Sequence, residues 1–438
     1  MLEQTTTERH LTPLPVRRLL AVTVLGFALT LVTGTVETAV LGHKVIELVP
    51  QADRNTALGV VTFLGLLVTM LAQPVIGALS DRTRSRWGRR LPYMAAGAVL
   101  VILCLYAIVV APTFGLVVGT VLALNFGHST IAAPWQALIP DQVPEHQRGR
   151  ASGLKALMDV VAALAGRFAA GRIVGQYAQW GEAAIILAVS VPAVVLLVLL
   201  AITALGAPDR PSAMAVARRS WRRTAAHAFS IDLRAQPAFG WWLANRFCFW
   251  CAFIGLTSFL LFFAIDALEL SADGAQSYIG NVSAWLGAAV LIALVPASRL
   301  SDRIGPKPVV VAAGLIAAAG TALPLLTRDL TAITLGALTI GVGAGAYMTA
   351  SWALVTDIVP ASEAARFLGL AGIATAGGSA LARLLGGALI DSVNAAAGSP
   401  AGYYALFAIA AAFFALSALA ALPLPGFAVE RAPLESVE

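Results

Sequence analysis

Apolar runs of about twenty residues recur along almost the whole chain. A helix of about that length crosses the apolar core of a bilayer, which is roughly 30 Å thick. Of the 438 residues 59% are hydrophobic and only 12% are charged, too few charges to cover a large water-soluble surface. We therefore expect an all-α membrane protein with twelve transmembrane helices, at 19–41, 56–79, 91–111, 114–139, 151–175, 182–206, 239–265, 276–297, 308–326, 331–355, 366–391 and 401–424.

Positive charges gather at one end of the predicted spans. Arginine and lysine cluster before the first span and after the even-numbered ones, whereas the other side holds only Lys44, Arg54, Arg172 and Arg328. Short cytoplasmic loops are enriched in these residues. The pattern predicts an even number of spans, both termini in the cytoplasm and a multi-pass protein of the cell membrane. It also explains the net charge of +6 without nucleic acid as a partner.

The longest polar segment falls in the middle of the chain and separates six spans from six. It predicts a cytoplasmic N-terminal segment (1–18), an N-terminal six-helix half (19–206), a cytoplasmic linker (207–238), a C-terminal half (239–424) and a cytoplasmic tail (425–438).

The two halves share an internal repeat. After the fourth and tenth spans, four residues recur at a constant offset of 216: Asp141, Pro144, Arg150 and Gly153 match Asp357, Pro360, Arg366 and Gly369. The same offset pairs Arg167 with Arg383. Two pseudo-symmetric halves related by an axis along the membrane normal are expected to hold a substrate cavity between them and to rock around it.

The loop after the second span carries a dense motif, GALSDRTRSRWGRR, from Gly77 to Arg90. This motif resembles the signature of the major facilitator superfamily between its second and third helices. The resemblance implies the major facilitator fold and a cytoplasmic latch that holds the outward-facing state; a loop that only sets topology is the alternative. The gating candidates are Gly77, Asp81, Arg82, Arg89, Asp302 and Arg303, with Asp141, Arg150, Asp357 and Arg366 in the repeated loops.

Two segments give a narrower resemblance. Thr83 to Arg90, and Pro134-Trp135 up to Asp141, look like the glycoside–pentoside–hexuronide:cation symporters and the related sucrose:proton transporters. In the melibiose-type members a tryptophan at the place of Trp135 lines the sugar pocket. Those members also carry acidic residues in the second helix for sodium, whereas 56–79 contains none, so the sequence favours proton coupling.

Charged groups inside predicted spans are costly and are functional hypotheses by default. Glu37 shares a face of the first span with Thr30, Asp159 lies deep in the fifth span, and His128 lies in the fourth. These three are the candidates for proton coupling. Lys155 is placed one helical turn before Asp159, so a structural ion pair and a coupling site are both open.

Polar and aromatic side chains within the spans form the candidate substrate site. Amides, hydroxyls and a stacking indole suit a neutral polyol, whereas the two paired arginines would also suit an anion or could reach toward the outer surface. The seventh span supplies Asn245 and Arg246 near its cytoplasmic end. The candidates are Asn125, Trp135, Gln136, Lys155, Arg167, Asn281, Tyr347, Trp352 and Arg383.

These patterns predict a secondary active transporter that works by alternating access, with proton-coupled uptake of a sugar or glycoside. The alternatives are a proton-coupled exporter of a hydrophobic drug or natural product, and a non-transporting membrane binding or assembly protein. No phosphate loop, metal motif or nucleophile motif is found in the sequence, so we expect no enzyme activity, no cofactor and no metal. The expected partners are a small solute, protons and the lipid bilayer, and the fold can act as a monomer.

Overall fold

The computed structural model describes residues 14–83, 85, 87–207, 236–358 and 364–425, without the side chains at 140, 145, 146, 148, 356, 357 and 364–370. Residues 1–13 of the predicted N-terminal segment, most of the linker and nearly all of the tail lie outside these ranges.

Within the described ranges, twelve long helical segments follow one another. They are α1 (Val16–Leu48), α2 (Arg54–Arg82), α3 (Leu91–Val109), α4 (Phe114–Gln136), α5 (Glu145–Val174), α6 (Glu182–Gly206), α7 (Pro237–Ser258), α8 (Ala272–Ile304), α9 (Pro306–Leu326), α10 (Leu330–Ile358), α11 (Ala364–Ala397) and α12 (Ala401–Ala421). Short helices add Leu138–Gln142, Tyr177–Trp180 and a 3-10 turn at Gln51–Asp53.

The membrane-spanning character of these helices agrees with the sequence pattern. Ten described helices are long and apolar enough to cross a membrane, or eleven if α7 and Leu260–Asp266, which meet at a 45° bend, form one span. α5 is not among them: its 30 residues are long enough, but Lys155, Asp159 and Arg167 lie within it. Each predicted span thus overlaps one of the twelve helices, with the seventh also including Leu260–Asp266, and the all-α prediction is confirmed.

Contacts divide the chain into two compact units. Of the described residues, those up to Lys44 and from Leu64 to Ala207 belong to the first unit, and Val45–Phe63 and those from Gln236 onward belong to the second. The sequence assigns Val45–Phe63 to the N-terminal half, but the contacts of this segment lie in the second unit. α2 therefore begins in one unit and ends in the other.

Each unit repeats the same neighbour pattern. In the first unit α3 packs along α4, α1 packs along α5, and α6 contacts α1 and α3. In the second unit α9 packs along α10, α7 packs along α11, and α12 contacts α7 and α9. Helices that correspond in the repeat therefore have corresponding neighbours.

Glycines set the closest helix contacts in both units. A Cβ added at Gly97 would lie 2.8 Å from the carbonyl oxygen of Gly127, across the α3–α4 contact. The equivalent α9–α10 contact places an added Cβ at Gly320 2.7 Å from the carbonyl oxygen of Gly336. Inside a membrane helices associate through such close packing, since lipid leaves little hydrophobic driving force between them.

Replacement of glycine by alanine adds one methyl group, and it should change the stability of the protein in opposite directions at two positions. At Gly345 in α10 an added Cβ would overlap the carbonyl oxygen of Val290 in α8, whereas nothing lies within 4 Å of a Cβ at Gly119. Gly345→Ala should cost about 1–3 kcal/mol, because two backbones must separate. Gly119→Ala should be neutral or stabilising by up to about 1 kcal/mol through helix propensity.

Thermal unfolding of the purified variants in detergent measures the difference. Equal midpoints for the two variants would contradict the close α8–α10 contact.

Candidate functional site

A polar cluster in the first unit joins α1, α4 and α5; we call Thr30, Trp135, Lys155 and Asp159 the Asp159 cluster. Lys155 Nζ donates to Asp159 Oδ2 at 2.7 Å, and Thr30 Oγ1 donates to Asp159 Oδ1 at 3.3 Å. Lys155 Nζ also lies 5.4 Å from the centre of the Trp135 ring. The Lys155 and Asp159 side chains are 29% and 30% exposed, so the pair is within reach of a solute.

A missing side chain on α1 makes room for this cluster. A Cβ at Gly26 would lie 2.6 Å from Trp135 Cη2 and 2.9 Å from Asp159 Oδ1. The indole is buried, and its Nε1 donates to the carbonyl oxygen of Val22 at 2.7 Å. Trp135 is thus locked against α1 and holds Lys155, rather than presenting a broad open surface.

Glu37 and His128 provide a second ionisable pair in the same unit. Glu37 lies in a turn of π-helix, Val36–Val40, within α1. Such turns are frequent at functional sites. Glu37 and His128 are both half-buried, and they interact electrostatically. Two of the three proton-coupling candidates therefore lie together, and the third belongs to the Asp159 cluster.

Two predicted substrate residues of α4 lie apart from that cluster. Asn125 accepts from Thr69 Oγ1 at 3.2 Å and donates to the Val121 carbonyl at 2.9 Å, so its amide joins α4 to α2. Gln136 is exposed at the last residue of α4. Among the described residues, no hydrogen bond links either amide to the Asp159 cluster.

The predicted residues of the second unit also differ in their surroundings. Tyr347 is buried, and its hydroxyl donates to Asn245 Oδ1 at 2.7 Å. Asn245 Nδ2 donates to Ser417 Oγ at 2.9 Å, so these three side chains tie together α7, α10 and α12. By contrast Trp352 is 43% exposed. Three further candidates are half-buried: Arg167 in the first unit, and Asn281 and Arg383 in the second.

Arg246, which the sequence analysis noted with Asn245 near the cytoplasmic end of the seventh span, adjoins the indole of Trp352. Its guanidinium carbon lies 4.7 Å from the centre of that ring. It is the tenth residue of α7, about 14 Å along the helix axis from the first.

A buried arginine organises the loop after α2. Arg90 is only 2% exposed, and both Arg90 and Arg89 donate to Asp141. Arg90 Nη1 also donates to the carbonyl oxygen of Pro134 at 3.0 Å, in the last turn of α4, where carbonyls lack helical partners. Arg90 Nη2 lies 3.6 Å from Asp81 Oδ1. We call Asp81, Arg89, Arg90 and Asp141 the loop latch; the sequence prediction included all of them except Arg90.

The other gating candidates are less enclosed. A Cβ at Gly77 would lie 4.0 Å from that of Ala133, which is an ordinary van der Waals contact. Four further candidates are exposed: Arg82, Arg150, Asp302 and Arg303. The side chains of Asp357 and Arg366 lie outside the described residues.

Comparison with known families identifies the chain. A family model described as "MFS/sugar transport protein" matches residues 54–427. The chain belongs to this family. It is a multi-pass membrane transporter, and the prediction that it is not an enzyme is confirmed because the family and its structural neighbours are transporters.

Solved structures confirm the major facilitator fold of this MFS/sugar transport protein. The nucleoside transporter NupG aligns with a TM-score of 0.70 over 93% of this chain and 99% of that one, at 15% identity. A D-xylose–proton symporter aligns with a TM-score of 0.64 over 94% and 97% of the two chains, at 16% identity. At such identities the likeness shows the fold alone.

Sequence relatives match shorter segments. The MFS/sugar transport protein is 38% identical over 95 residues to an uncharacterized symporter of Synechocystis, covering 19% of this chain and 18% of that one. It is 30% identical over 112 residues to a sucrose transport protein of Oryza sativa subsp. japonica, covering 20% and 21%. It is 32% identical over 121 residues to the minor myo-inositol transporter IolF of Bacillus subtilis, covering 28% and 27%. The matches therefore span about a fifth to a quarter of these relatives.

The loop latch of the MFS/sugar transport protein should depend on Arg90 more than on its neighbours. Arg90→Gln removes one of the two arginines that donate to Asp141, and also the charged donor to the Pro134 carbonyl, and should cost about 3 kcal/mol. Arg82→Gln, a matched change at an exposed arginine, should cost less than about 0.5 kcal/mol.

Unfolding of both variants in detergent gives the comparison. A loss for Arg90→Gln no larger than that for Arg82→Gln would rule out Arg90 as the centre of the latch.

Proposed function

We propose that this protein takes up a sugar or glycoside together with a proton by alternating access. The observation that carries the proposal is the Lys155–Asp159 pair, a half-exposed ion pair inside a membrane helix. Ionisable groups at such depth are expensive and mark ion or substrate pathways. The pair contacts a hydroxyl and an indole, Thr30 and Trp135, which are side chains that also suit a polyol.

The pair offers a direct way to couple a proton to a solute. While Asp159 is ionised it holds the Lys155 ammonium group at 2.7 Å. A proton on Asp159 removes the negative charge and frees the ammonium to donate to a hydroxyl of the solute. Departure of the solute restores the ion pair and expels the proton. Glu37 and His128 are the proposed route by which the proton reaches or leaves this site.

The relatives support a polyol as the solute. Two of them are named for sucrose and myo-inositol, and one structural neighbour is named for D-xylose and the proton. The clustering of basic residues supports a cell-membrane protein with both termini in the cytoplasm. We propose the monomer as the working unit.

Alternating access requires contacts that close the path to the site on each side of the membrane and can be released. Asp391 of α11 accepts from Asn55 Nδ2 at 2.8 Å and from the Thr56 amide at 2.7 Å. Asn55 Nδ2 also lies 3.1 Å from the Tyr403 hydroxyl, which donates to Asp266. We call these five residues the α2-start cluster.

The α2-start cluster and the loop latch hold opposite ends of α2. Asn55 and Asp81 are separated by about 40 Å along the helix at 1.5 Å per residue. Both clusters are formed in this structure, and we propose that they act as gates that are released in turn as the protein changes conformation.

The coupling role of Asp159 is testable in proteoliposomes that contain a pH-sensitive dye. Addition of a panel of sugars and glycosides should acidify the lumen with at least one of them, and Asp159→Asn should reduce this signal by about tenfold or more. Exchange of the same sugar across the membrane should persist, since exchange needs no net proton movement. Glu182→Gln, at an exposed carboxylate that starts α6, is the matched control.

If proton movement is unchanged in Asp159→Asn, Asp159 does not couple the proton to the sugar. Glu37 is then the proposed coupling residue, and Glu37→Gln tests it. Proton-driven export of amphipathic dyes, with no response to any sugar, would favour the exporter instead.

The α2-start cluster predicts a local change in hydrogen exchange. Asp391→Ala removes the acceptor of both Asn55 and Thr56, so amide exchange in residues 51–60 should accelerate by about tenfold or more. Ser392→Ala changes the adjacent exposed residue and should leave that exchange unchanged. Equal protection in both variants would show that the cluster does not hold the start of α2.

A further inference from the structure

An apolar groove lies within the second unit between α7, α11 and α12; we call it the α11 groove. Its volume is about 510 Å³, a size typical of sites for small molecules. Small residues on all three helices leave this space open: Ala252, Gly255, Ala382, Gly386, Ala388 and Ala410. The groove does not separate α7 from α11, because a Cβ at Gly255 would lie 3.4 Å from that of Ala382.

The lining of the groove offers almost nothing to a polar ligand. Among the described lining residues, Ser392 is the one with a hydroxyl, and that hydroxyl donates to the Leu389 carbonyl of its own helix at 3.1 Å. The thiol of Cys251 is a weak donor. A sugar would lose its hydrogen bonds to water here without replacement, and apolar cavities stay dry. The chemistry of the groove therefore selects an apolar occupant.

The groove opens onto the surface that lipid covers. Leu381, Leu385 and Ile409 line it and are exposed. Ala371–Ala397 of α11 and the whole of α12 are long and apolar enough to cross a membrane. The apolar medium in contact with this surface is the hydrocarbon of the bilayer.

The length and depth of the groove match those of one leaflet. Leu381 and Ser392 are the first and last lining residues of α11, and the 11 residues that separate them span about 16 Å. Ser392 lies about 8 Å before the end of α11 at Ala397. The groove therefore begins close to one membrane surface and reaches about the middle of the membrane. One leaflet supplies about 15 Å of the hydrocarbon core, which is the extent of a single lipid chain.

We infer that one acyl chain of a membrane lipid lies in the α11 groove, with its ester end near Ser392 and its methyl end near Leu381. Lipid hydrocarbon gives little hydrophobic driving force here, so the chain is held by close packing against the groove walls. A chain that binds the folded protein also stabilises it by mass action. Occupation of the groove does not depend on which solute is transported.

Photolabelling of the full-length protein identifies the occupant. The vesicles consist of dioleoylphosphatidylcholine with a small fraction of a phosphatidylcholine that carries a diazirine within one acyl chain, and labelled residues are found by peptide mass spectrometry. Val191 and Val194 are exposed residues of α6 at similar distances from a helix end and serve as the reference. Leu385 and Ile409 should carry about threefold more label or higher, because a bound chain stays beside them longer.

Two matched variants then separate the groove from the general lipid surface. Ala388→Phe places a ring in the groove and should lower its label to the level of the α6 residues. Ala408→Phe changes an exposed alanine of α12 that does not line the groove, and should leave the label unchanged. In detergent, added dioleoylphosphatidylcholine should raise the unfolding midpoint of wild type and Ala408→Phe more than that of Ala388→Phe. If Ala388→Phe does not fold, Ala388→Leu and the wild-type label map decide.

Three results would overturn the assignment of an acyl chain to the groove. The first is equal label on the groove and α6 residues in wild type, and the second is groove label that survives in Ala388→Phe. The third is a wild-type dimer that becomes a monomer in Ala388→Phe, which would assign the groove to a second copy of the chain. Failure of the protein to transport any sugar would overturn the proposed function without changing these outcomes.

Discussion

A charged side chain inside a bilayer has to be compensated, because the surrounding hydrocarbon supplies neither water nor counter-ions. Lys155 and Asp159 meet that condition by compensating each other on one helix face. Arg246 is held by a hydroxyl and two indoles. In the loop after α2, the buried Arg90 is likewise compensated, by Asp141 and by the end of α4.

The position of these charges depends in turn on how closely the helices pack. Gly26 allows both the Trp135 indole and the Asp159 carboxylate to lie against α1, so the geometry of the Asp159 cluster depends on the absence of a Cβ. Glycines without a Cβ likewise allow α3 to pack closely against α4, and α9 against α10. Small residues thus do more than stabilise the two units, because they bring polar groups from different helices within hydrogen-bonding distance.

α2 connects the proposed chemistry to the proposed movement. Its first turn has its contacts in the second unit, through Asn55, Thr56 and Asp391, and its last turn belongs to the first unit, beside the loop latch. Both ends rely on carboxylates that accept hydrogen bonds. Both sets of contacts are formed in this structure, so release of either end would leave a polar group in need of another partner.

The sequence by itself determined the helices, the repeat and the Lys155–Asp159 pair. Each of these depends on spacing along the chain: span length matches bilayer thickness, and residues four apart meet on one helix face. Sequence resemblance located Asp81 and Arg89 of the loop latch, because the motif from Gly77 to Arg90 is contiguous in the chain. Only the tertiary structure decided that Arg90 is the buried member of the latch, and that the polar groups of Asn125 and Tyr347 bond to neighbouring helices. It also showed that, within the described part of the chain, Arg246 forms no ion pair with a carboxylate. Asn55 and Asp391 are separated by 336 residues, and such contacts depend on how each helix is rotated and packed against its neighbours.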